Sequence, residues 1–275
     1  MAQNYAGAAK ARLTRVAVLG ILLASSTTLG AQNILPLSPQ CEAPASDIAT
    51  QASLPHLATA LQFRKSLRVM AIGSSSTFGL GASLGKSYPA QLAEMLEKSL
   101  KGVNIEVVNR GISGEVAKTT AERLRLEIPG ISPDLVLWQL GTNDALAGVP
   151  VVEFEATVRE TIDWLKQRNI DVVLIGLQYT PNLAKNRMYS AVRDMLRRIA
   201  REEGILYVRR FEAMRYISTA RSQLVMDSGD GLHLNDIGYR CMAEHIGHAV
   251  VANVFAGRFA VPEPGDLLAS GSTSR

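Results

Sequence analysis

The stretch Leu67-Arg-Val-Met-Ala-Ile-Gly-Ser-Ser-Ser76 decides the fold of this chain. Its first six positions form a short, almost wholly apolar run that ends at Gly73, as expected of a strand buried on both faces of a parallel sheet. Three serines follow at once. Because open parallel sheets bind their ligands outside the carboxyl ends of the strands, the stretch predicts both a buried strand and a place for chemistry.

Strand-like and helix-like patterns alternate along the chain beyond this stretch. Further short apolar runs predict strands at 104–108, 134–140, 171–177 and 205–208. Apolar residues at helical spacing predict helices at 88–101, 115–127, 154–165, 188–203 and 235–255. Alternating strands and helices imply right-handed crossovers, so the predicted fold class is α/β, a three-layer α/β/α sandwich with a parallel five-stranded sheet.

The composition suits one globular domain with a sizeable core, since the 275 residues are 47% hydrophobic and 20% charged. Beyond the N-terminus, no segment approaches the roughly 20 consecutive apolar residues that a membrane span requires. Aromatic residues make up only 5% of the chain, and no basic stripe is interleaved with them. Nucleic acid is therefore not an expected partner.

The N-terminus has the pattern of an export signal. Lys10, Arg12 and Arg15 precede an apolar run at 16–23, and small residues continue to Ala31. The prediction is a signal peptide at 1–31, a periplasmic or secreted protein, and no stable membrane span after cleavage. An uncleaved anchor and a disordered leader are the alternatives. Cleavage would remove three positive and no negative charges and lower the net charge from +4 to +1, so the basic balance does not indicate an acidic partner.

The rest of the chain divides by composition into three parts. Residues 32–64 are rich in Pro, Ser, Ala and Gln, which predicts a linker or an N-terminal arm lying over the domain. The domain itself is predicted at 65–258, and a disordered tail at 259–275. Two cysteines, Cys41 and Cys241, suit an exported protein with one disulfide, or else they are two unrelated thiols, with Cys241 packed inside a helix.

Ser75 is the candidate nucleophile. It lies two residues after the first predicted strand, in a turn between Gly73 and Gly79, where a hydroxyl can point into the crevice at the sheet edge. A serine hydroxyl is a weak nucleophile and needs an adjacent base. Ser74 and Ser76 compete for the role, and a serine-rich turn without catalytic function is the structural alternative.

Two other loops that follow strands contain candidate oxyanion donors. Gly114 has no Cβ, so its backbone N–H can approach a substrate closely. Asn143, in the segment Gly141-Thr-Asn-Asp144, can add a side-chain amide. Two or three such donors around a developing oxyanion supply a large part of the rate enhancement in acyl transfer, although each segment by itself is also ordinary turn chemistry.

Asp230 and His233 lie three residues apart, so one loop can present both side chains. The carboxylate would accept Nδ1–H and leave Nε2 free to take the serine proton. His56 falls in the predicted arm, and His245 and His248 fall on the last predicted helix, where packing or surface roles are expected. Their spacing is not that of a His-Glu-x-x-His zinc site, so no metal site is predicted.

The segment Gly81-Ala-Ser-Leu-Gly-Lys-Ser87 comes close to a phosphate-binding loop. Such a loop requires four residues between its first glycine and the Gly-Lys-Ser, and the position for that glycine is occupied by Leu80. The backbone cradle is therefore out of register, and nucleotide binding is not expected.

Taken together, these segments resemble the SGNH hydrolases, the GDSL-type esterases and lipases. The residues that carry the resemblance are Ser75 in the first block, Gly114 in an Asn-x-x-x-Ser-Gly stretch, Asn143 in Gly-x-Asn-Asp, and Asp230 and His233 in Asp-x-x-His. Each motif is weak alone, but four in order over about 67–255 are specific. The resemblance implies a flavodoxin-like three-layer fold and a triad of Ser75, Asp230 and His233. It also implies an oxyanion hole formed by Ser75, Gly114 and Asn143.

One position departs from the family pattern. The family has Asp before the nucleophile, where this chain has Ser74, so the block reads Gly-Ser-Ser-Ser. Serine keeps a short hydrogen-bonding side chain without the charge, and no triad member is lost because Asp230 fills that role. An ordinary α/β-hydrolase fits less well, because no Gly-x-Ser-x-Gly pentapeptide surrounds Ser75 or Ser113.

The sequence thus predicts an exported serine esterase that forms an acyl-enzyme and needs no metal or organic cofactor. Its expected substrate is an acyl ester of a small molecule, a polysaccharide or a lipid, with selectivity set by the loops around 76–88 and 178–187. Transfer of the acyl group to a sugar hydroxyl is one alternative. A catalytically silent carbohydrate-binding domain, suggested by Ser74, is the other.

Overall fold

The computed structural model describes residues 35–256, with side chains up to residue 254. Its strands are β1 (Ser66–Gly73), β2 (Asn104–Gly111), β3 (Leu135–Gln139), β4 (Asp171–Ile175) and β5 (Leu206–Val208). Its helices are α1 (Ala45–Ile48), α2 (Pro55–Phe63), α3 (Ser75–Phe78), α4 (Tyr88–Ser99), α5 (Ala117–Ile131), α6 (Thr142–Leu146), α7 (Val151–Lys166), α8 (Arg187–Glu202), α9 (Arg210–Ala220) and α10 (Asp236–Ala256). The strands form one parallel sheet in the order β2-β1-β3-β4-β5.

The sheet is buried on both faces at β1, β3, β4 and β5, whereas the edge strand β2 is partly exposed. In β1, Met70 and Ile72 pack with residues of α5, α7 and α8, whereas Val69 and Ala71 pack with residues of α2, α4 and α10. Successive strand residues point to opposite faces, so a strand covered on both sides needs an apolar run rather than polar alternation. The three-layer α/β/α sandwich with five parallel strands, predicted from the sequence, is confirmed.

The structure contains helices that the hydrophobic pattern did not predict. α3 and α6 are each about one turn long, too short to show helical periodicity. α1 and α2 lie within the segment predicted as a linker or arm, and α9 lies where no element was predicted. The helix predicted at 115–127 begins at Ala117 and continues through Pro129 to Ile131. Ile128 is buried in the core and holds this last turn in place.

The N-terminal segment packs against the sheet and the last helix. Ala49 pairs with Val208 at the end of β5, and Leu57 of α2 is fully buried. A disulfide joins Cys41 to Cys241 of α10, with the two Cα atoms 4.9 Å apart. Of the two alternatives left open for the cysteines, the structure therefore has the disulfide, and Cys241 is at the same time packed inside a helix.

Two predicted segments fall outside the described residues, namely the signal peptide at 1–31 and the disordered tail at 259–275. The domain limits of 65–258 accordingly stay a prediction. Within residues 35–256, no helix is both long enough and apolar enough to cross a membrane.

The three strands nearest the candidate site are direct neighbours, with β1 between β2 and β3. Gly73 of β1 pairs with Gly111 of β2, and Ile72 pairs with Trp138 of β3. Because the strands are parallel, the loops that follow them leave the sheet at one edge. Gly111 allows β2 to pack closely against the turn that carries the serines, since a Cβ at this position would lie 2.0 Å from the backbone nitrogen of Phe78.

Candidate active site

Three side chains predicted to act together lie in one hydrogen-bonded line. Ser75 is the first residue of α3, directly after β1, and its Oγ lies 3.0 Å from Nε2 of His233. Nδ1 of His233 lies 2.6 Å from Oδ2 of Asp230. The residues come from opposite ends of the sequence, 158 positions apart for the serine and the histidine. The fold thus brings together a hydroxyl, an imidazole and a carboxylate in the order that nucleophilic catalysis requires.

The Asp230 carboxylate is held in a tight local turn. Oδ1 accepts hydrogen bonds from the backbone N–H groups of Leu232, at 2.9 Å, and His233, at 2.7 Å. The His233 ring, followed by these two N–H groups, holds the pKa of Asp230 well below its usual range. The side chain stays ionised at neutral pH, so Nδ1 of His233 donates to it and Nε2 is left as the acceptor that faces Ser75.

The three consecutive serines have different surroundings. Both Oγ and the backbone N–H of Ser74 donate to Oε1 of Gln139, each at 3.0 Å. Ser76 is buried, and its Oγ accepts from the guanidinium of Arg210 at 3.2 Å. Ser75 is the half-buried member of the three and the one that faces the imidazole. The turn where the family has an aspartate is therefore fixed here by a neutral serine–glutamine pair.

The two predicted oxyanion donors in the other loops lie beside one another. Gly114 is exposed, with a φ of +85° and no atom within 4 Å of the place where a Cβ would be. Nδ2 of Asn143 donates to the carbonyl of Glu115, the residue after Gly114, at 2.8 Å. A carboxamide has two N–H donors, so this contact orients the Asn143 amide and leaves its second N–H free. The N–H of Ser75 is the third predicted donor, and as the first amide of α3 it has no acceptor within that helix.

Asp144 and Asn109 connect the loops at this edge, and neither role was predicted. Asp144 is buried, with Oδ1 accepting from the N–H of Ala117 at 2.8 Å and Oδ2 from that of Gly141 at 3.1 Å. Burial raises its pKa, against the lowering effect of these N–H groups. Nδ2 of Asn109 donates to the carbonyl of Thr77 at 2.8 Å. These contacts tie the starts of α5 and α6 together and join β2 to the serine turn.

A cavity of about 540 Å³ lies against the loop that carries Asp230 and His233. Its walls include Tyr179, Met214 and Leu232. Residues 179–182 of the wall belong to the loop at 178–187, one of the two loops expected to set selectivity. Neither Ser75 nor His233 lines the cavity. The cavity therefore lies next to the loop of Asp230 and His233 and not at the Ser75 hydroxyl.

The remaining histidines of the last helix have structural contacts. Nε2 of His245 lies 2.7 Å from the carbonyl of Cys41, and Nδ1 of His248 lies 2.9 Å from that of Leu35. Both rings hold the N-terminal segment against α10, in line with the packing role expected for them. In the part of the chain that the structure describes, no group of three or more His, Cys, Asp or Glu side chains is arranged to hold a metal ion.

Comparison with known proteins identifies relatives over most of the domain. The profile of the Non-GDSL lipase-like family matches residues 40–255. An arylesterase from Vibrio mimicus is 26% identical over 187 residues, which cover 68% of this chain and 90% of that protein. The thioesterase 1/protease 1/lysophospholipase L1 of Escherichia coli K12 is 27% identical over 169 residues, or 61% of this chain and 75% of that protein.

A solved structure with the same fold is that of a two-domain esterase (CEX) active on acetylated mannans. It superposes with a TM-score of 0.65 at 19% identity, and the match covers 77% of this chain. The chain spans 57% of that two-domain protein. At 19% identity, the likeness concerns the fold alone. The family match covers more than half of the chain, and the absence of a Gly-Asp-Ser-Leu block accords with the family's description. The predicted enzyme class, an ester hydrolase, is confirmed. The chain belongs to the SGNH hydrolases, within the non-GDSL lipase-like family.

Proposed function

We propose that the protein is an exported serine esterase that cleaves carboxylic acyl esters through an acyl-enzyme. The observation that carries the proposal is the line from Ser75 Oγ to His233 Nε2, at 3.0 Å, and from His233 Nδ1 to Asp230, at 2.6 Å. The alternative of a silent binding domain has less support, because a binding site has no need of a hydroxyl aligned with an imidazole and a carboxylate.

Acylation begins with proton transfer from Ser75 to His233. Nε2 of His233 accepts the hydroxyl proton as Oγ attacks the ester carbonyl carbon, and Asp230 stabilises the imidazolium that forms. The carbonyl oxygen becomes an oxyanion, which the N–H groups of Ser75 and Gly114 and the amide of Asn143 stabilise. When the tetrahedral intermediate collapses, His233 returns the proton to the departing alcohol, and the acyl group stays on Oγ.

Deacylation repeats these steps with water in place of the serine. His233 removes a proton from the water as its oxygen attacks the acyl carbon. The second tetrahedral intermediate collapses to free acid, and the proton passes back to Ser75 Oγ. Each bond made or broken uses groups of this chain, of the substrate and of water, so we expect no cofactor requirement.

The expected substrates are acyl esters of small molecules, lipids or polysaccharides. Relatives are named as an arylesterase and as a thioesterase and lysophospholipase, and a structural neighbour is active on acetylated mannans. The predicted leader at 1–31 and the disulfide between Cys41 and Cys241 support a periplasmic or secreted location.

A fluorophosphonate probe tests the proposed mechanism directly. We expect the purified protein to hydrolyse short p-nitrophenyl esters and to lose that activity as one probe molecule per chain is incorporated, with the label mapped to Ser75 by peptide mass. Hydrolysis that survives full labelling would contradict the proposal. Mass analysis with an added sugar acceptor separates hydrolysis, which yields only free acid, from acyl transfer, which yields an acylated sugar.

Replacement of Asn143 by alanine should lower kcat about 10²- to 10³-fold with little change in KM, because its free N–H stabilises charge that exists only in the transition state. Steady-state kinetics on one p-nitrophenyl ester measures the effect. Asn253→Ala is the control, since Asn253 is a buried side-chain amide on α10 that is hydrogen-bonded to Ala52 and Ala249, away from the candidate site. Equal loss of kcat in both variants would contradict the proposed role of Asn143 as an oxyanion donor.

A further inference from the structure

Arg210, the first residue of α9, is a buried cation that the proposed reaction does not use. Its side chain is 2% exposed, and among the described residues it forms no salt bridge with a carboxylate. The acidic side chain nearest in sequence, Glu212, is instead close to Arg197 and Arg209. Burial of an ion without a counterion is unfavourable, so hydrogen bonds to the guanidinium must offset part of that cost.

The guanidinium contacts two loops of the candidate active site. Nη1 and Nη2 each donate to Oγ of Ser76 at 3.2 Å, and Nη2 also donates to Oε1 of Gln178 at 2.8 Å. Nε2 of Gln178 donates to the carbonyl of Leu232. Chemistry fixes the direction of each bond, because a guanidinium can only donate and a backbone carbonyl can only accept. Gln178 can therefore adopt only one amide orientation here.

These bonds form a bridge between the two halves of the catalytic line. Ser76 directly follows the nucleophile Ser75, and Leu232 directly precedes the base His233. Ser76 and Gln178 are 102 positions apart, and Gln178 and Leu232 are 54 apart, so the bridge supplies contacts that the local turns do not. The side chains of Arg210, Gln178 and Ser76 are buried, which shields the hydrogen bonds among them from competition with water.

We propose that the Arg210–Gln178 bridge is a positioning device that sets the separation of Ser75 Oγ and His233 Nε2. Arg210 and Gln178 do not contact the ester or the proton that passes from Ser75 to His233. They act through Ser76 and Leu232. The inference rests on the proposed esterase function, since it concerns the geometry of that same proton transfer. Loss of the bridge should lower kcat and leave KM nearly unchanged, because neither Arg210 nor Gln178 contacts the ester.

Gln178→Glu separates catalysis from stability. The carboxylate keeps an oxygen for Arg210 and gives the buried cation a counterion, but it has no N–H to donate to Leu232. We expect an unchanged or higher Tm together with a fall in kcat of about 10- to 100-fold, the range that a displacement of roughly 1 Å produces. The rate at which a fluorophosphonate labels Ser75 should fall in parallel, because that rate also depends on the imidazole.

Arg210→Met and Arg210→Lys form the second arm. Methionine removes the charge and the donors, so kcat should fall as in Gln178→Glu; lysine restores a charge and should recover part of the loss, although it lacks the planar fork that reaches two partners. Arg159→Met is the control, since Arg159 bonds Glu155, Glu202 and Glu203 away from this edge. It should lower Tm and leave kcat at the wild-type value.

The outcomes distinguish the bridge from the function on which it rests. Wild-type kcat in Gln178→Glu at an unchanged Tm would overturn the bridge, and this variant decides the question if Arg210→Met does not fold. If Arg210→Met and Arg159→Met lose the same amount of Tm and kcat falls no further in Arg210→Met, the proposed role of the bridge would be overturned as well. A wild-type protein that hydrolyses no ester overturns the esterase proposal and the bridge together.

Discussion

Replacement of Ser75 by alanine is expected to lower kcat about 10⁶-fold, to the level that binding and the oxyanion donors supply by themselves. The loss should be this large because every later step acts on an acyl group bound to Oγ. Oγ lies 3.0 Å from His233 Nε2, so alanine removes both the attacking atom and the proton donor. Initial rates on a p-nitrophenyl ester measure the effect, with enough enzyme to detect the residual activity.

The neighbouring serine provides a matched control. Ser74→Ala deletes the same atom one position away, where Oγ bonds Gln139 rather than a histidine. We expect this variant to keep kcat within about 10-fold of wild type, because a single neutral hydrogen bond contributes about 1 kcal/mol, and to label fully with the fluorophosphonate. Full activity in Ser75→Ala, or a label mapped to Ser74, would show that the nucleophile has been placed wrongly.

Replacement of His233 by alanine is expected to lower kcat to a similar extent, again about 10⁶-fold. The Ser75 hydroxyl would stay in place but would have no base, since water is a poor proton acceptor at neutral pH. The double variant with Ser75→Ala should be no slower than either single variant, because the two side chains act as one unit. Additive losses in a double-mutant cycle would contradict a shared role.

His56→Ala is the control for this second substitution. His56 lies in the first turn of α2, beside Asp171 at the start of β4, and so at the opposite edge of the sheet. We expect kcat and KM equal to those of the wild type. The fluorophosphonate should label His56→Ala at the wild-type rate, whereas labelling of His233→Ala should be slow, because the probe too needs an activated hydroxyl.

The sequence was most informative where the chemistry is local or follows the strands. Asp230 and His233 share one turn, so their contact could be predicted from a spacing of three residues. Ser75 and Asn143 follow neighbouring parallel strands, and the rule that ligands bind at the carboxyl edge brings their loops together. Apolar runs without polar alternation likewise predicted strands covered on both faces.

Long-range polar contacts could not be predicted in this way. Arg210 reaches Ser76 across 134 positions, and no periodicity or spacing rule connects them. Gln178 looked like part of a loop, and its two amide contacts are visible only once β4 and the histidine loop are in place. The one-turn helices α3 and α6 escaped prediction for a different reason, since each is shorter than the pattern that would reveal it.

The neutral residue before the proposed nucleophile illustrates how a motif departure is accommodated. Ser74 replaces a charged side chain of the family pattern, and on sequence grounds it suggested a silent domain. In the structure, Gln139 at the end of β3 accepts from both the hydroxyl and the backbone N–H of Ser74. A glutamine on the neighbouring strand thus supplies the acceptor for the turn, which the first block alone could not indicate.

The disulfide between Cys41 and Cys241 has a consequence for the order of events in folding. The two cysteines are 200 residues apart, and α10 is the last helix of the described chain. Oxidation of the pair must therefore wait until Cys241 has emerged from the ribosome, or from a translocation channel. Cys41 is synthesised 200 residues before its partner, so a chain that stops short of Cys241 cannot carry this covalent link.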